Sequence, residues 1–284
     1  MDGLLEQLAT YKGLVVGLWF LAFFFGERLL PAAREPAPRS GEPAMAWPRV
    51  GRNVLLWGAN IFLSALVILP LTLVASEAAL TWRPGWWQGW PALLLDLIVL
   101  DLLIYWWHRA NHVLPLLWRF HEVHHLDRFL DSTTAVRFHP GEVLLSAGFR
   151  AVVIFFLALP LTSILIFETL VLLAALFQHS NLRLPAPLER GLSRLIITPA
   201  IHWLHHHDKR VDTDSNYGTI FSFWDRIFRS SNPNVRRFDM TLGVEGRGEQ
   251  PLVRLLWRPF ASQTRRPAQS APPDQADNRS RGTD

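Results

Sequence analysis

At 284 residues the chain has the length of one or two ordinary domains, yet 50% of its residues are hydrophobic and only 18% are charged. The apolar residues fall in long runs, which points to a bilayer and away from a soluble core. The net charge of +4 rests on 28 basic residues, only two of them lysine, and no cysteine is present; this excludes disulfides, thiolate metal sites and cysteine nucleophiles, and suits anionic lipid head groups better than nucleic acid.

In chain order, residues 14–25 are apolar and, with flanks from 4 to 30, reach the roughly 20 residues needed to cross a bilayer. Asp2 and Glu6 oppose Lys12 and no small-residue cleavage site follows, so this helix is expected to be retained and not cleaved as a signal. Residues 31–50 are rich in Pro, Ala and Arg and read as a connector, making 1–50 a first unit of helix and linker. Residues 54–75 form a span without help from flanks. The loop 76–89 carries Trp82, Trp86 and Trp87, with Trp90 just beyond, as an interfacial aromatic belt. Residues 91–107 form another span, and 143–177 holds enough for two, broken at Pro160 into a helical hairpin. The expected fold is an all-α integral membrane bundle of four to five membrane helices with a cytoplasmic histidine-rich helical cap. Arg28, Arg34, Arg39, Arg49 and Arg52 cluster after the first span, against Arg83 alone in the tryptophan loop, so the positive-inside rule puts the arginine-rich side in the cytoplasm. Residues 51–230 make the main membrane unit, and 231–284 read as a polar, largely disordered tail.

All 11 histidines lie in the two polar segments between and after the later spans. They form H-R-A-N-H at His108 and His112, H-E-V-H-H at His121, His124 and His125, and H-W-L-H-H-H at His202, His205, His206 and His207, with His139 and His179 as singles. On a helix, residues three or four apart share a face, so each group presents two imidazoles to one metal, while the adjacent pair in H-x-x-H-H splays in two directions and bridges two centres. Two such units, the H-x-x-x-H and His179 give nine imidazoles, enough for two metals at four or five ligands each. Imidazole suits Zn, Cu, Fe and Ni alike, so ligand type does not choose the metal. His139 and His207 read equally well as satisfied interfacial polar groups. Asp101, Tyr105, His108 and His112 share one helical face, which makes Asp101 or Tyr105 a candidate acceptor for an imidazole N–H. Asp127, Asp131, Glu142, Asp208, Asp212 and Asp214 are further acceptors near the boxes; Glu122 and Arg109 lie inside boxes, turned away from the metals.

The run D-L-L-I-Y-W-W-H-R-A-N-H, then L-W-R-F-H-E-V-H-H, T-T-A-V-R-F-H-P, Q-H-S-N, H-W-L-H-H, N-Y-G at Asn216 to Gly218 and F-W-D-R-I-F closely resembles the fatty acid hydroxylase and sterol desaturase superfamily of histidine-box membrane oxygenases. The resemblance covers about residues 91–230, in family order. It implies a catalytic domain over 51–230 and metal ligands at His108, His112, His121, His124, His125, His179, His202, His205 and His206. His139 matches a less uniformly ligating position and is held, with Asp101, Tyr105 and Asn216, as a supporting group or extra ligand. The implied cofactor is a pair of irons with O2 as co-substrate, hydroxylating or desaturating a C–H bond of a lipid from the bilayer: a fatty acyl chain, sterol, sphingolipid or ether lipid. Electrons are then expected from NAD(P)H through a separate ferredoxin or cytochrome b5 type carrier, since no nucleotide-binding glycine motif is present and Glu142 breaks the one haem-like H-P-G echo. A histidine-rich membrane metal transporter is the other class that ligand type admits, but it would place His or Asp at mid-span, whereas these boxes sit at span ends. The arginine excess leans toward a bacterial inner membrane.

Overall fold

A computed structural model describes residues 2–35 and 46–261. Among these the secondary structure is helical, with three isolated β-bridges and no extended strand. Helix α1 covers Asp2–Leu29, α2 Ala46–Leu63, α3 Leu69–Glu77 and α4 Gly89–Val113. The short α5 (Pro115–His125) leads to α6 (Pro140–Leu157) and α7 (Leu161–His179). Five small helices follow: α8 (Ala186–Leu192), α9 (Pro199–His205), α10 (Arg210–Thr213), α11 (Phe223–Ile227) and α12 (Leu252–Trp257).

Four of these are long and apolar enough to cross a membrane: Trp47–Glu77, Gly89–Val113, Pro140–Leu157 and Leu161–His179. Outward-facing side chains such as Phe62 (67% exposed) and Leu94 (61%) would be costly in water and are what a lipid-facing surface requires. The first span joins α2 to α3 through a π-helical turn, Ser64–Ile68. Pro70 explains it: a proline has no N–H and its ring collides with the carbonyl four residues back, and a widened turn removes the collision without ending the helix. Helix α1 packs along α7, with Lys12 on Glu168 (2.7 Å), Trp19 Nε1 donating to the Leu173 carbonyl (3.0 Å) and Phe23 against Phe177.

The hairpin expected at Pro160 is present. Helix α6 closes on Ala158 in the left-handed conformation (φ 50°), and Pro160 sits at the N-cap of α7. At that tip Trp82 Nε1 donates to the Phe156 carbonyl (2.6 Å), and Asp96 accepts from Arg83 (2.7 Å), Trp87 (3.0 Å) and Ser163 (2.7 Å). The tryptophan loop and the hairpin tip therefore share one end of the bundle. The histidines occupy the other, at the ends of α4, α5 and α7 and on α9.

That histidine end is a polar cap tied down by buried charges. Arg49 pairs with Asp127 (3.0 Å) and with Asp131, Arg137 reaches Glu249 (2.9 Å), and Glu27 accepts from the Ser132 backbone and hydroxyl (2.6 Å). Residues 231–261, polar by composition, are part of this cap: Leu242 and Leu255 are buried, and Arg247 and Arg258 each meet Glu122 at 2.9 Å. Ion pairs supply there what apolar content does not. Residues 262–284, the rest of the stretch read as a tail, and residues 36–45 of the connector, with Arg39, lie outside the described residues.

Candidate metal centre

Helix punctuation brings the boxes together. Helix α4 ends just after His112, Leu114 takes an extended conformation before Pro115, and Pro115 starts α5, which turns the second box back toward the first. Pro199 starts α9 in the same way and places His202 and His205 one turn apart. His179 is the last residue of α7. The result is two adjoining groups whose ligand atoms lie within 4.8 Å of one another: His108, His112, His121, His125 and His205 in one, His124, His179, His202 and His206 in the other. All nine residues of the sequence-derived ligand set are in these groups. The groups touch through His125 and His206, whose rings stack at 4.2 Å.

Hydrogen bonds on the far side of the rings fix their tautomers. His108 Nδ1–H donates to the Tyr217 carbonyl (2.9 Å), His205 Nδ1–H to the Ser215 carbonyl (2.7 Å), and His179 Nδ1–H to the Ala175 carbonyl (2.8 Å). His124 Nδ1–H faces the Arg137 carbonyl at 3.3 Å, and His121 Nδ1–H donates to Glu142 Oε1 at 2.7 Å. With the only proton of each neutral ring committed there, Nε2 carries just a lone pair. Yet Nε2 of His108 and His205 lie 3.1 Å apart, as do those of His124 and His179. Lone pairs so placed repel unless a cation sits between them. His121 Nε2 and both ring nitrogens of His125 are buried without a hydrogen-bond partner, a costly arrangement that a metal relieves. The residues present therefore fit a pair of nitrogen-bound metals.

Electrostatics agrees. Burial first, then the neighbouring imidazoles, push His124, His125, His202 and His206 well below the ordinary histidine range, and His205 down to about 3. Neutral rings are the ligating form.

Four of the supporting candidates are placed differently from expectation. Asp101 sits seven residues below His108, about 10 Å along the helix, too far to take an imidazole proton. It accepts instead from the backbone N–H of Ile220 and Phe221 (both 3.1 Å) and from Trp224 Nε1 (2.9 Å), docking the 216–230 segment on α4. Tyr105 shares a hydrogen with Ser230 (2.7 Å) and accepts from Arg109 (3.3 Å), so it too acts on that segment. His139 lies outside both groups: it N-caps α6 through Gly141 N–H (2.9 Å), and Nε2 meets the Leu256 carbonyl (3.0 Å). Asn216 touches no imidazole; its side chain joins Asn232 N–H (2.9 Å) and the Ile201 carbonyl (3.3 Å). Its left-handed backbone (φ 54°) is what aims the flanking carbonyls of Ser215 and Tyr217 at His205 and His108. Gly218 follows because a Cβ there would lie 2.7–2.9 Å from Ile197, Phe221 and Asp225. Asp225 caps the turn through Tyr217 N–H (2.7 Å) and Gly218 N–H (2.9 Å).

Of the nearby acids, Glu142 holds His121, and Asp214 lies 3.7 Å from His112 Nδ1. Asp127 and Asp131 serve Arg49, and Asp212 holds His207 (2.6 Å), which stays outside both groups. Glu122 faces Arg247 and Arg258, away from the rings.

The fatty acid hydroxylase family model matches residues 93–230. The chain is 24% identical over 264 residues to the ornithine lipid hydroxylase OlsE of Rhizobium tropici, covering 88% of this chain and 78% of that protein. It is 31% identical over 148 residues to alkylglycerol monooxygenase of Danio rerio, and 28% over 173 residues to lathosterol oxidase of Mus musculus. Those matches cover 52% and 59% of this chain but only 31% and 52% of the two relatives. No solved structure matches the chain. With the boxes in order, the helical membrane fold and these relatives in agreement, the chain belongs to the fatty acid hydroxylase and sterol desaturase superfamily.

Proposed function

We propose that the protein is an O2-dependent di-iron hydroxylase of a membrane lipid. The observation that carries this is the pair of lone-pair contacts, His108 with His205 and His124 with His179, inside two adjoining groups of five and four imidazoles. Bound there, iron supplies the one-electron chemistry with O2 that an unactivated C–H bond demands and side chains lack.

The chain's own residues do the rest. Carbonyls of Ser215, Tyr217, Ala175 and Arg137, with Glu142, hold five rings in one tautomer and one orientation. The cap buries eight of the nine rings, with His108 half-buried, and limits the access of bulk water to a reactive centre. Helices α4 and α7 end at the site, so an apolar chain rising from the bilayer meets it at a depth fixed by the spans. In a hydroxylation one atom of O2 enters the C–H bond and the other leaves as water, consuming two protons and two electrons. With no nucleotide-binding motif in the sequence, those electrons come from a separate ferredoxin or cytochrome b5 type carrier reduced by NAD(P)H. One relative named a hydroxylase and another named a monooxygenase favour that outcome over desaturation, and the ornithine lipid and alkylglycerol in their names favour a lipid with a polar head group. The arginine-rich end supports a cytoplasmic cap, and the excess of Arg over Lys supports a bacterial inner membrane.

Purification in mild detergent, anaerobic iron loading and O2 uptake with dithionite test the reading. Uptake with hydroxylated lipid as product, lost in His124→Ala, is expected. Stoichiometric zinc after iron loading, with no O2 consumed, would overturn it in favour of a metal carrier.

A further inference from the structure

The last described segment of the cap carries an apolar face that points outward. Helix α12 and the 3-10 turn after it, Arg258–Phe260, run as one stretch from Leu252. Its inner side is fixed: Leu255 is buried with Leu56, Val123 and Leu126, and Arg258 meets Glu122 at 2.9 Å. Its outer side holds Val253, Leu256, Trp257 and Phe260, of which Val253 is 66%, Trp257 67% and Phe260 65% exposed. Their spacing places four large apolar side chains on one helical face.

Bonds to the spans set the depth of that face. Helix α6 runs 18 residues from Pro140 to Leu157. At 1.5 Å per residue that is roughly 27 Å, close to the thickness of the hydrocarbon core, so its N-cap residue His139 lies at the core boundary. His139 Nδ1 accepts from Gly141 N–H, which leaves the ring proton on Nε2 to be donated to the Leu256 carbonyl at 3.0 Å. The Phe260 ring packs 6.4 Å from His139 and 6.0 Å from Phe120. On α2 the same level is marked by Asn60, which donates to the Phe138 carbonyl at 2.9 Å, and Leu56, the partner of Leu255, lies one turn above it. Exposed apolar side chains of the spans begin at this level, with Leu55 on α2 and Leu144 and Leu145 on α6.

We propose that residues 252–260 are an interfacial anchor, which seats Val253, Leu256, Trp257 and Phe260 in the boundary between head groups and acyl chains of the leaflet at the histidine end. Lipid is the occupant that fits, because the face is level with the edge of a span and continuous with the lipid-facing surface of the bundle. A tryptophan flanked by arginines, here Arg254 and Arg258, is also what that boundary favours. The inference does not depend on the reaction. Through Arg258 and Glu122 the anchor is bonded to α5, the helix that bears His121, His124 and His125, so the second histidine box is tied to the membrane surface as well as to the spans.

The chain contains no cysteine, so a single introduced one takes a nitroxide label without background. The full chain in nanodiscs is labelled at Trp257→Cys or Val253→Cys, both side chains outward, and collision of the label with O2, which concentrates in lipid, is compared with collision with a water-soluble nickel chelate. Phe62→Cys on the first span and Asp239→Cys in a polar loop serve as the lipid and water references. Both anchor labels are expected to collide with O2 several-fold more often than with nickel, as Phe62→Cys does. Nickel collision at the level of Asp239→Cys in both would overturn the anchor, because the face would then meet water. Shielding from both reagents would assign the face to another protein surface, such as a second copy of the chain, and overturn it equally.

Discussion

At the scale of single residues the candidate metal centre is nine imidazoles with one carboxylate beside them, and the hydrogen bond from His121 to Glu142 at 2.7 Å is the most accessible of their supports. Glu142→Gln keeps the shape but replaces a charged acceptor with a neutral one. Metal affinity should fall about 10- to 100-fold by equilibrium titration, with the fold retained. Asn216 is the backbone counterpart. Its left-handed conformation costs most side chains about 1–2 kcal/mol, so Asn216→Ala should lower detergent thermal stability and loosen metal at His108 and His205, whereas Asn216→Gly should do less harm. The metal-free chain has a signed pH dependence. Its cap histidines stay neutral when folded but take up protons below about 6.5 when unfolded. Stability is therefore full above that value and falls as the pH drops, on through about 3 where folded His205 titrates. A chemical-denaturation series of apo protein between pH 8 and pH 4 checks this; a midpoint that rises toward acid would contradict it.

Among the elements, the segment 231–261 shows how far composition misleads. It reads as polar and unstructured, yet its arginines close over a fully buried carboxylate, with Arg247 and Arg258 both on Glu122. Replacing both arginines with alanine strips that carboxylate of two cations in a dry setting and should cost about 3–5 kcal/mol, read as a lower unfolding temperature in detergent. The same limit explains the misplaced supports of the metal site. Helical spacing put Asp101 and Tyr105 on the histidine face of α4, but spacing does not say what packs against that face. The 216–230 segment reaches both side chains and leaves the rings to backbone carbonyls. A carbonyl leaves no mark on a sequence. His139 went astray for a related reason, since a histidine before Pro140 is as good a helix cap as it is a ligand. By contrast the spans from residue 54 onward and the hairpin at Pro160 were legible, because apolar length and proline act locally.

Over the whole molecule, two ends of one bundle hold different chemistry: tryptophans and Asp96 at one, imidazoles and ion pairs at the other. The convergence of these nine histidines was legible because box spacing records which rings share a helical turn, although their division into five and four needed the three-dimensional path of α5 and α9. Topology reporters fused after residue 40 and after residue 84, on either side of Trp47–Glu77, should fall on opposite sides of the membrane, with the first in the cytoplasm. The central claim is that two irons share one imidazole-lined site. Mössbauer spectroscopy with metal analysis on protein loaded anaerobically with 57Fe tests it most directly. The account predicts about two irons per chain in nitrogen-rich environments, magnetically coupled after exposure to O2, with about one lost in a His179→Ala, His202→Ala double variant. A single uncoupled iron per chain, or none retained, would contradict it.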